Sequence, residues 1–391
     1  MGRFGRRAFV LGAVAAGLAA CSDAGPTTSP GPSVPTSPPP SSPPTPSSPA
    51  PGPTPTAPTT TAPPVDPRPR WPLTGELLEH EGDARHAAVA VKVPDNRQEH
   101  PQRGIDSADI VFVELEGYRD ASGHSATRLV PVFHSRMPDV VEPVRSIRPV
   151  DVALLSPMDA IIGNTGAAPW VLDYVRHHRA HLEGMLSYQA TKGTGAYGTD
   201  QSRVYTLGGQ AYFDRATTCH PKVLARQTTR FRTGPPRLYL PIASSRDEVS
   251  TAHGGKPGRT LQVPYQGDGY LMGYTYDTRS GRYLRSMPWG PHVLADGTRV
   301  STDNVLVVHA HQHYGKIFPG AGRDEPLHDV TDASGRFLYF HGGRHVTGTW
   351  RKGALAEPFG FTLADGSPLR MAPGQTFVEL PDTRARLRIR G

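Results

Sequence analysis

Cysteine is almost missing from this chain: Cys21 and Cys219 are the two among 391 residues. Once Cys21 is consumed by the acylation argued below, Cys219 has no partner. No intrachain disulfide is then available, and the folded part must be stable without staples. Long apolar runs are missing as well. The stretch from Phe9 to Ala20 is too short to span a bilayer, and no later run approaches that length. The 17 histidines come without an HExxH motif or a cysteine ligand array, which removes the common zinc signatures.

What is present near the start is an export signal. Arg3, Arg6 and Arg7 form a basic head, Phe9 to Ala20 an apolar segment of small residues, and Leu18-Ala19-Ala20-Cys21 resembles a lipobox. Residues 1–20 therefore read as a lipoprotein signal peptide, with Cys21 as the acylated, membrane-anchoring residue. Arg6-Arg7-Ala8-Phe9-Val10 resembles a twin-arginine signal, so the twin-arginine and general secretory routes both stay open. An ordinary secretory signal cut near Ala20, with Cys21 incidental, is the plainer alternative.

Residues 21–70 read as a disordered Pro/Ser/Thr linker. The stretch from Ser22 to Arg70 holds 19 of the 42 prolines and little apolar bulk, so it cannot bury enough surface to offset chain entropy. Proline density favours extended conformations that hold a folded part away from a membrane. Removing the signal takes the formal net charge from +7 to about +4. That mildly basic balance favours anionic partners such as wall polymers or lipid headgroups, and the exported location argues against nucleic acid.

The remainder predicts an α+β protein, with a mixed α/β domain over 71–235 followed by a β-rich domain over 236–391. Ala87 to Val93, Asp109 to Glu116 and Arg128 to His134 have the β-branched density of strands, and Ala160-Ile161-Ile162 that of a short buried one. Ile147 to Leu155 and Pro169 to His178 read as helices with proline in the first turn. The pattern shifts near Gly234-Pro235-Pro236, the expected boundary. Beyond it, Arg259 to Tyr265, Tyr270 to Tyr276, Arg282 to Ser286, Asn304 to His313, Arg336 to His341 and His345 to Trp350 read as strands. Asp296-Gly297, Ser334-Gly335, Gly342-Gly343 and Asp365-Gly366 read as turns between them.

Several residue sets have chemical potential. Arg145 and Arg148 stand three apart near a helix start, where both can face one side and clamp a carboxylate or phosphate; the alternative is arginines engaged by internal carboxylates such as Asp151 and Asp159. Glu114 and Glu116 share a strand face, and paired carboxylates divide acid and base roles only if their environments differ; solvated strand-end acids are the preferred reading. Gly163-Asn164-Thr165-Gly166, between a strand and a helix, could offer backbone N–H groups to an anion. Cys219-His220 invites a nucleophile reading, but the Ser-x-Gly-Cys pattern of L,D-transpeptidases is not found there, and a buried thiol is the plainer expectation. His309-Ala310-His311-Gln312-His313 on one strand would align three imidazoles, with Asp324, Glu325, His292 or His341 to complete a metal site. A polar strand end is the preferred reading, so no metal and no cofactor is expected.

The run Arg103-Gly104-Ile105-Asp106-Ser107-Ala108-Asp109-Ile110-Val111-Phe112-Val113-Glu114 resembles the Gly-x-Ser-x-Ala-Asp-Ile-Val-Tyr-Glu stretch of the YerB-like bacterial lipoproteins. Thr127-Arg128 and Pro143-Val144-Arg145-Ser146-Ile147-Arg148-Pro149 fit the next family blocks. Tyr283-Leu284-Arg285-Ser286, Gly290-Pro291-His292, Gly348-Thr349-Trp350 and Pro373-Gly374-Gln375-Thr376-Phe377 follow in order. The chain departs from the family at Thr218-Cys219-His220-Pro221, commonly Ala-Pro-His-Asn, and at Gly163-Asn164-Thr165-Gly166. The resemblance covers Trp71 to Pro381 and implies two coupled domains in the envelope, in a family classed as of unknown function.

The residues that survive define an expected ligand site: Arg128, Arg145 and Arg148 to hold an anion, with Glu114 and His220 as polar or proton-transfer groups. Two functions compete. One is a lipid-anchored binding or accessory module on the extracytoplasmic face of the membrane, recognising an anionic wall fragment or an envelope protein. The other is a hydrolase or transferase acting on a wall polymer.

Overall fold

The computed structural model describes residues 68–119, 125–178, 186–265 and 270–391. The signal peptide, Cys21 and the linker up to residue 67 lie outside the described residues. Arg70 already belongs to the fold, donating to Gly75 O at 2.7 Å and to Ser244 O at 3.0 Å.

An 11-stranded mixed sheet runs through the protein, and strands of both sequence halves build it. From one edge the order is Lys256–Pro257, Arg344–Lys352, Ala333–His341, Asn304–Val308, Thr376–Glu379, Ile110–Arg119, Ser125–Phe133, Val89–Val91 and Ile161–Gly163. Val93–Pro94 adds to Ser125–Phe133, and Gly360–Leu363 to Arg344–Lys352. The halves join where Thr376–Glu379 lies parallel to Asn304–Val308 on one side and to Ile110–Arg119 on the other, with Phe377 beside Val111 and Glu379 beside Val113.

Because alternate strand residues point to opposite faces, each face of this sheet carries its own core. One face, with Ile110, Phe112, Val130, Leu306 and Val308, is covered by helix α1 (Pro149–Leu155) and helix α2 (Pro169–His177), which contribute Val150, Leu154, Trp170 and Val171. The other face, with Val111, Val113, Leu129, Val305 and Phe377, packs on Leu261, Val263, Tyr265 and Tyr274 of a six-stranded antiparallel sheet. Both helices start at proline, whose missing N–H is no loss there. Asp151 then caps α1 by accepting the Arg148 N–H at 2.7 Å. Among the described residues no helix is long and apolar enough to cross a membrane.

Two turn and strand expectations are corrected. Ser334-Gly335 is not a turn but part of strand Ala333–His341. Gly335 is needed for packing: a Cβ there would lie 2.7 Å from both His309 O and the Trp350 indole nitrogen. The run from Asn304 to His313 is not one strand. It breaks after Val308 and resumes at His311–Gly315, because the His309 carbonyl turns to accept the Trp350 indole N–H at 2.9 Å. Gly342-Gly343, with φ of 61° and 75°, does form the expected hairpin turn.

Candidate functional site

Strand Ile110–Arg119 carries Glu114 and Glu116 on one face, and its neighbour Ser125–Phe133 places Arg128 directly opposite Glu114. This end of the sheet, the entries to α1 and α2, and three loops surround a cleft of about 780 Å³. Arg128, Arg145, Arg148, Arg215 and Arg323 line it together with Glu99, Glu116, Asp214 and Glu325. Three of the five expected site residues thus meet in one cavity.

Each guanidinium is held. Arg128 donates to Glu116 Oε1 at 2.9 Å and to Ser146 O at 2.8 Å. Arg148 straddles the Glu116 carbonyl, with Nε at 3.1 Å and Nη2 at 3.0 Å, and its Nε lies 3.4 Å from Glu325 Oε2. Burial, reinforced by the Arg128 charge, brings Arg148 down to about 10. Arg145 reaches Glu99 and, at 2.9 Å, Asp214 Oδ2. Burial raises the Glu99 carboxyl although Arg145 pulls it down. Helical spacing is not what brings the arginines together, contrary to expectation: α1 begins at Pro149, and Arg148 is an extended residue before it. The carboxylates that engage the guanidiniums of Arg145 and Arg148 are Glu99, Asp214 and Glu325, not the expected Asp151 and Asp159; Asp151 takes the Arg148 backbone N–H and Lys92 instead.

Glu114 and Glu116 are not the solvated strand-end acids expected, because Lys92 and Arg128 pair with them inside the fold. Both are buried, and Glu114, fully so, does not line the cleft. One layer further in, Lys92 Nζ bonds Glu114 and, at 2.8 Å, Asp151 Oδ1. Burial, with the Asp151 charge beside it, pushes Glu114 well above the usual carboxylate range despite Lys92. Lys92 escaped sequence reasoning, although a lone lysine in Ala87-Ala88-Val89-Ala90-Val91-Lys92-Val93 is a signal of a buried ion pair. Glu99, Asp214 and Arg215 gave no comparable signal.

His220 stands outside the cleft lining, before the short helix Pro221–Ala225, with Nδ1 2.8 Å from Asp139 O. Cys219 is buried, and burial pushes its thiol up, away from the thiolate a nucleophile needs. The Gly163–Gly166 loop does not offer its N–H groups to an anion. Asn164 N–H goes to Tyr197 Oη at 2.9 Å, Thr165 N–H to Arg145 O at 3.1 Å and Gly166 N–H to Asn164 Oδ1 at 2.8 Å.

The three imidazoles of 309–313 do not share a face. His309 is buried and touches Asp382 O and Arg336, while His311 and His313 stack on the surface with ring centres 5.3 Å apart. Ligand-capable atoms of Asp95, His100 and His292 do lie within 4.8 Å of one another. Arg285 fills the place of a cation there, donating to Asp95 Oδ2 at 2.7 Å and lying 2.8 Å from His292 Nδ1. Gln102 Oε1 takes His292 Nε2 at 2.9 Å. This cluster is a buried polar connector between the halves.

Comparison with known proteins agrees with this architecture. Residues 73–213 match the model described as "Protein of unknown function (DUF3048) N-terminal domain", and residues 261–378 match the corresponding C-terminal domain. The protein named "Putative lipoprotein YerB" from Bacillus subtilis (strain 168) is 27% identical over 323 residues, covering 80% of this chain and 87% of that one. The crystal structure of YerB from Bacillus subtilis superposes with a TM-score of 0.64 at 21% identity, covering 82% of this chain and all of that one, and so shares its fold. With both domain models matched in order across the two halves of one sheet, the chain belongs to this YerB-like family of unknown function.

Proposed function

We propose that this is a lipid-anchored envelope protein whose cleft binds a wall fragment bearing anionic groups. The observation that carries the reading is the cleft itself, about 780 Å³ with five guanidiniums in its wall, a size suited to a small molecule or the end of a polymer. Arginine's planar fork suits carboxylate and phosphate. The lipobox at Cys21 and the similarity to a protein named as a lipoprotein support the location.

The catalytic alternative finds less support. Glu114 has the raised pKa of a general acid, but it is sealed from the cleft, and His220 is not in the lining. A general acid must come within hydrogen-bond reach of its target, directly or through one water. Incubating the purified full-length protein with defined peptidoglycan and teichoic-acid fragments tests both readings. Retention of an intact fragment is expected. Cleavage would favour the enzyme, and retention of no fragment would remove the binding role.

A further inference from the structure

The cleft is not of one sign, since five guanidiniums share its wall with four carboxylates. Its unsatisfied atoms are mixed in the same way. Glu99 Oε2 and Asn96 Oδ1 are acceptors, Arg128 Nε and Arg215 Nε are donors, and all four are buried without a hydrogen-bond partner among the described residues. Glu99 itself is 4% exposed. Buried polar groups in folded proteins are nearly always paired, so orphans of both senses along one cleft indicate a ligand that brings both complements. A bare polyanion satisfies only the donors and meets four carboxylates at close range. An ammonium group has three donors and no acceptor, which suits the Glu99 and Asn96 oxygens.

We infer that the cleft takes a ligand carrying both a carboxylate and a primary ammonium, the chemistry of a short peptide. The ammonium sits on Glu99 and Asn96, and the carboxylate on the guanidinium wall. This deepens the binding role proposed above and rests on it. Asn96 directly precedes the short turn Arg97–Glu99, so both acceptors belong to one segment. Arg145 already engages the other Glu99 oxygen, which fixes the carboxylate while leaving Oε2 for the ligand.

The test is calorimetry of the purified full-length protein with three probes: alanyl-γ-glutamyl-lysine, the same tripeptide with its amines acetylated, and polyglycerol phosphate. The free tripeptide should bind about ten- to a hundredfold more tightly than the acetylated one, the span expected for a charge-assisted hydrogen bond. Glu99→Gln should narrow that gap. Equal binding of both tripeptides, or binding of polyglycerol phosphate alone, overturns the zwitterionic ligand and leaves the binding role standing. Binding of no probe overturns both. A gap undiminished in a folded Glu99→Gln protein removes Glu99 as the seat. If that variant does not fold, the wild-type comparison of the two tripeptides decides the matter.

Discussion

Arg285 and Asp95 meet at 2.7 Å with neither side chain exposed, bridging the two halves from 190 residues apart in sequence. Burial, the largest single influence, would raise the Asp95 carboxyl, but the charges and hydrogen bonds of Arg285 and His100 together outweigh it and hold Asp95 well below the usual carboxylate range. Thr127 Oγ1 donates to the same carboxylate at 2.8 Å. Removing one partner leaves the other charge buried and alone, so Asp95→Asn or Arg285→Met should each cost about 3–5 kcal/mol. The double variant should cost less than the sum of the two. Urea unfolding of the three variants checks this, and single-variant losses below about 1 kcal/mol would deny the pair its role as a connector.

The shared sheet makes a second expectation. Thr376–Glu379 lies between strands of the two halves, and removing either half would uncover a strand edge and one side of the core around Phe377. Expressed alone, 71–235 and 236–391 should be insoluble or unfolded, and the two should associate when produced together. The intact protein should show one unfolding transition by fluorescence and by circular dichroism. Two separated transitions, or a soluble, folded isolated half, would show that the halves are independent.

Glu379 gives a pH-dependent test. Its carboxylate accepts from Tyr265 Oη at 2.7 Å and from Tyr274 Oη, and burial raises it from 4.5 to about 7. Between those values the folded chain holds a proton that the unfolded chain has released. This group's contribution is therefore complete below about pH 4.5 and declines as pH rises through 7. Glu379→Gln, which mimics the protonated form, should gain relative to the wild type between pH 5 and pH 7. Buried histidines titrate in both proteins and cancel in the difference. A stability difference that stays constant over that range would mean that Glu379 is ionised throughout.

The parts legible in the sequence were those fixed by local chemistry. Proline at the first helical position marked α1 and α2, β-branched density marked Ile110–Arg119, and paired glycines at 342–343 marked a hairpin. Thr376–Glu379 was not legible as the joining strand, because four residues carry little pattern and their neighbour lies more than 260 positions earlier. In the site, Arg128, Arg145 and Arg148 could be found from motif and chemistry. Glu116, the partner of Arg128, stood out as one of two acids on a strand face. The partners of Arg145 and Arg148 could not be found, since Glu99, Asp214 and Glu325 arrive from separate parts of the chain with no spacing that relates them. Local rules also misjudged Gly335, whose place is set by the Trp350 indole across the sheet and not by a turn.

Cys21→Ser tests the anchor. Acylation requires the thiol, so the variant should leave the membrane fraction after washing, and its mass should show no lipid. A processed Cys21→Ser protein that remains membrane-bound would exclude lipid as the anchor.

Arg145 and Arg148 should separate under the same substitution. Arg148 is 3% exposed and spends Nε and Nη2 on one carbonyl, Glu116 O, so its fork is part of the scaffold. Lysine offers a single nitrogen and cannot reproduce both bonds, so Arg148→Lys should lower stability by about 1–3 kcal/mol. Arg145 has a side chain 16% exposed, and one of its partners, Asp214, is itself 45% exposed. Its charge is therefore available to a ligand, and its loss leaves less buried polarity unpaired. Arg145→Lys should keep most of the stability and weaken alanyl-γ-glutamyl-lysine by about ten- to a hundredfold, because the planar fork is lost while the charge remains. Urea midpoints and calorimetry on both variants read the two effects separately. The opposite pattern, with Arg148→Lys weakening only binding and Arg145→Lys only stability, would exchange their roles and move the ligand toward the Glu116 and Glu325 side of the cleft.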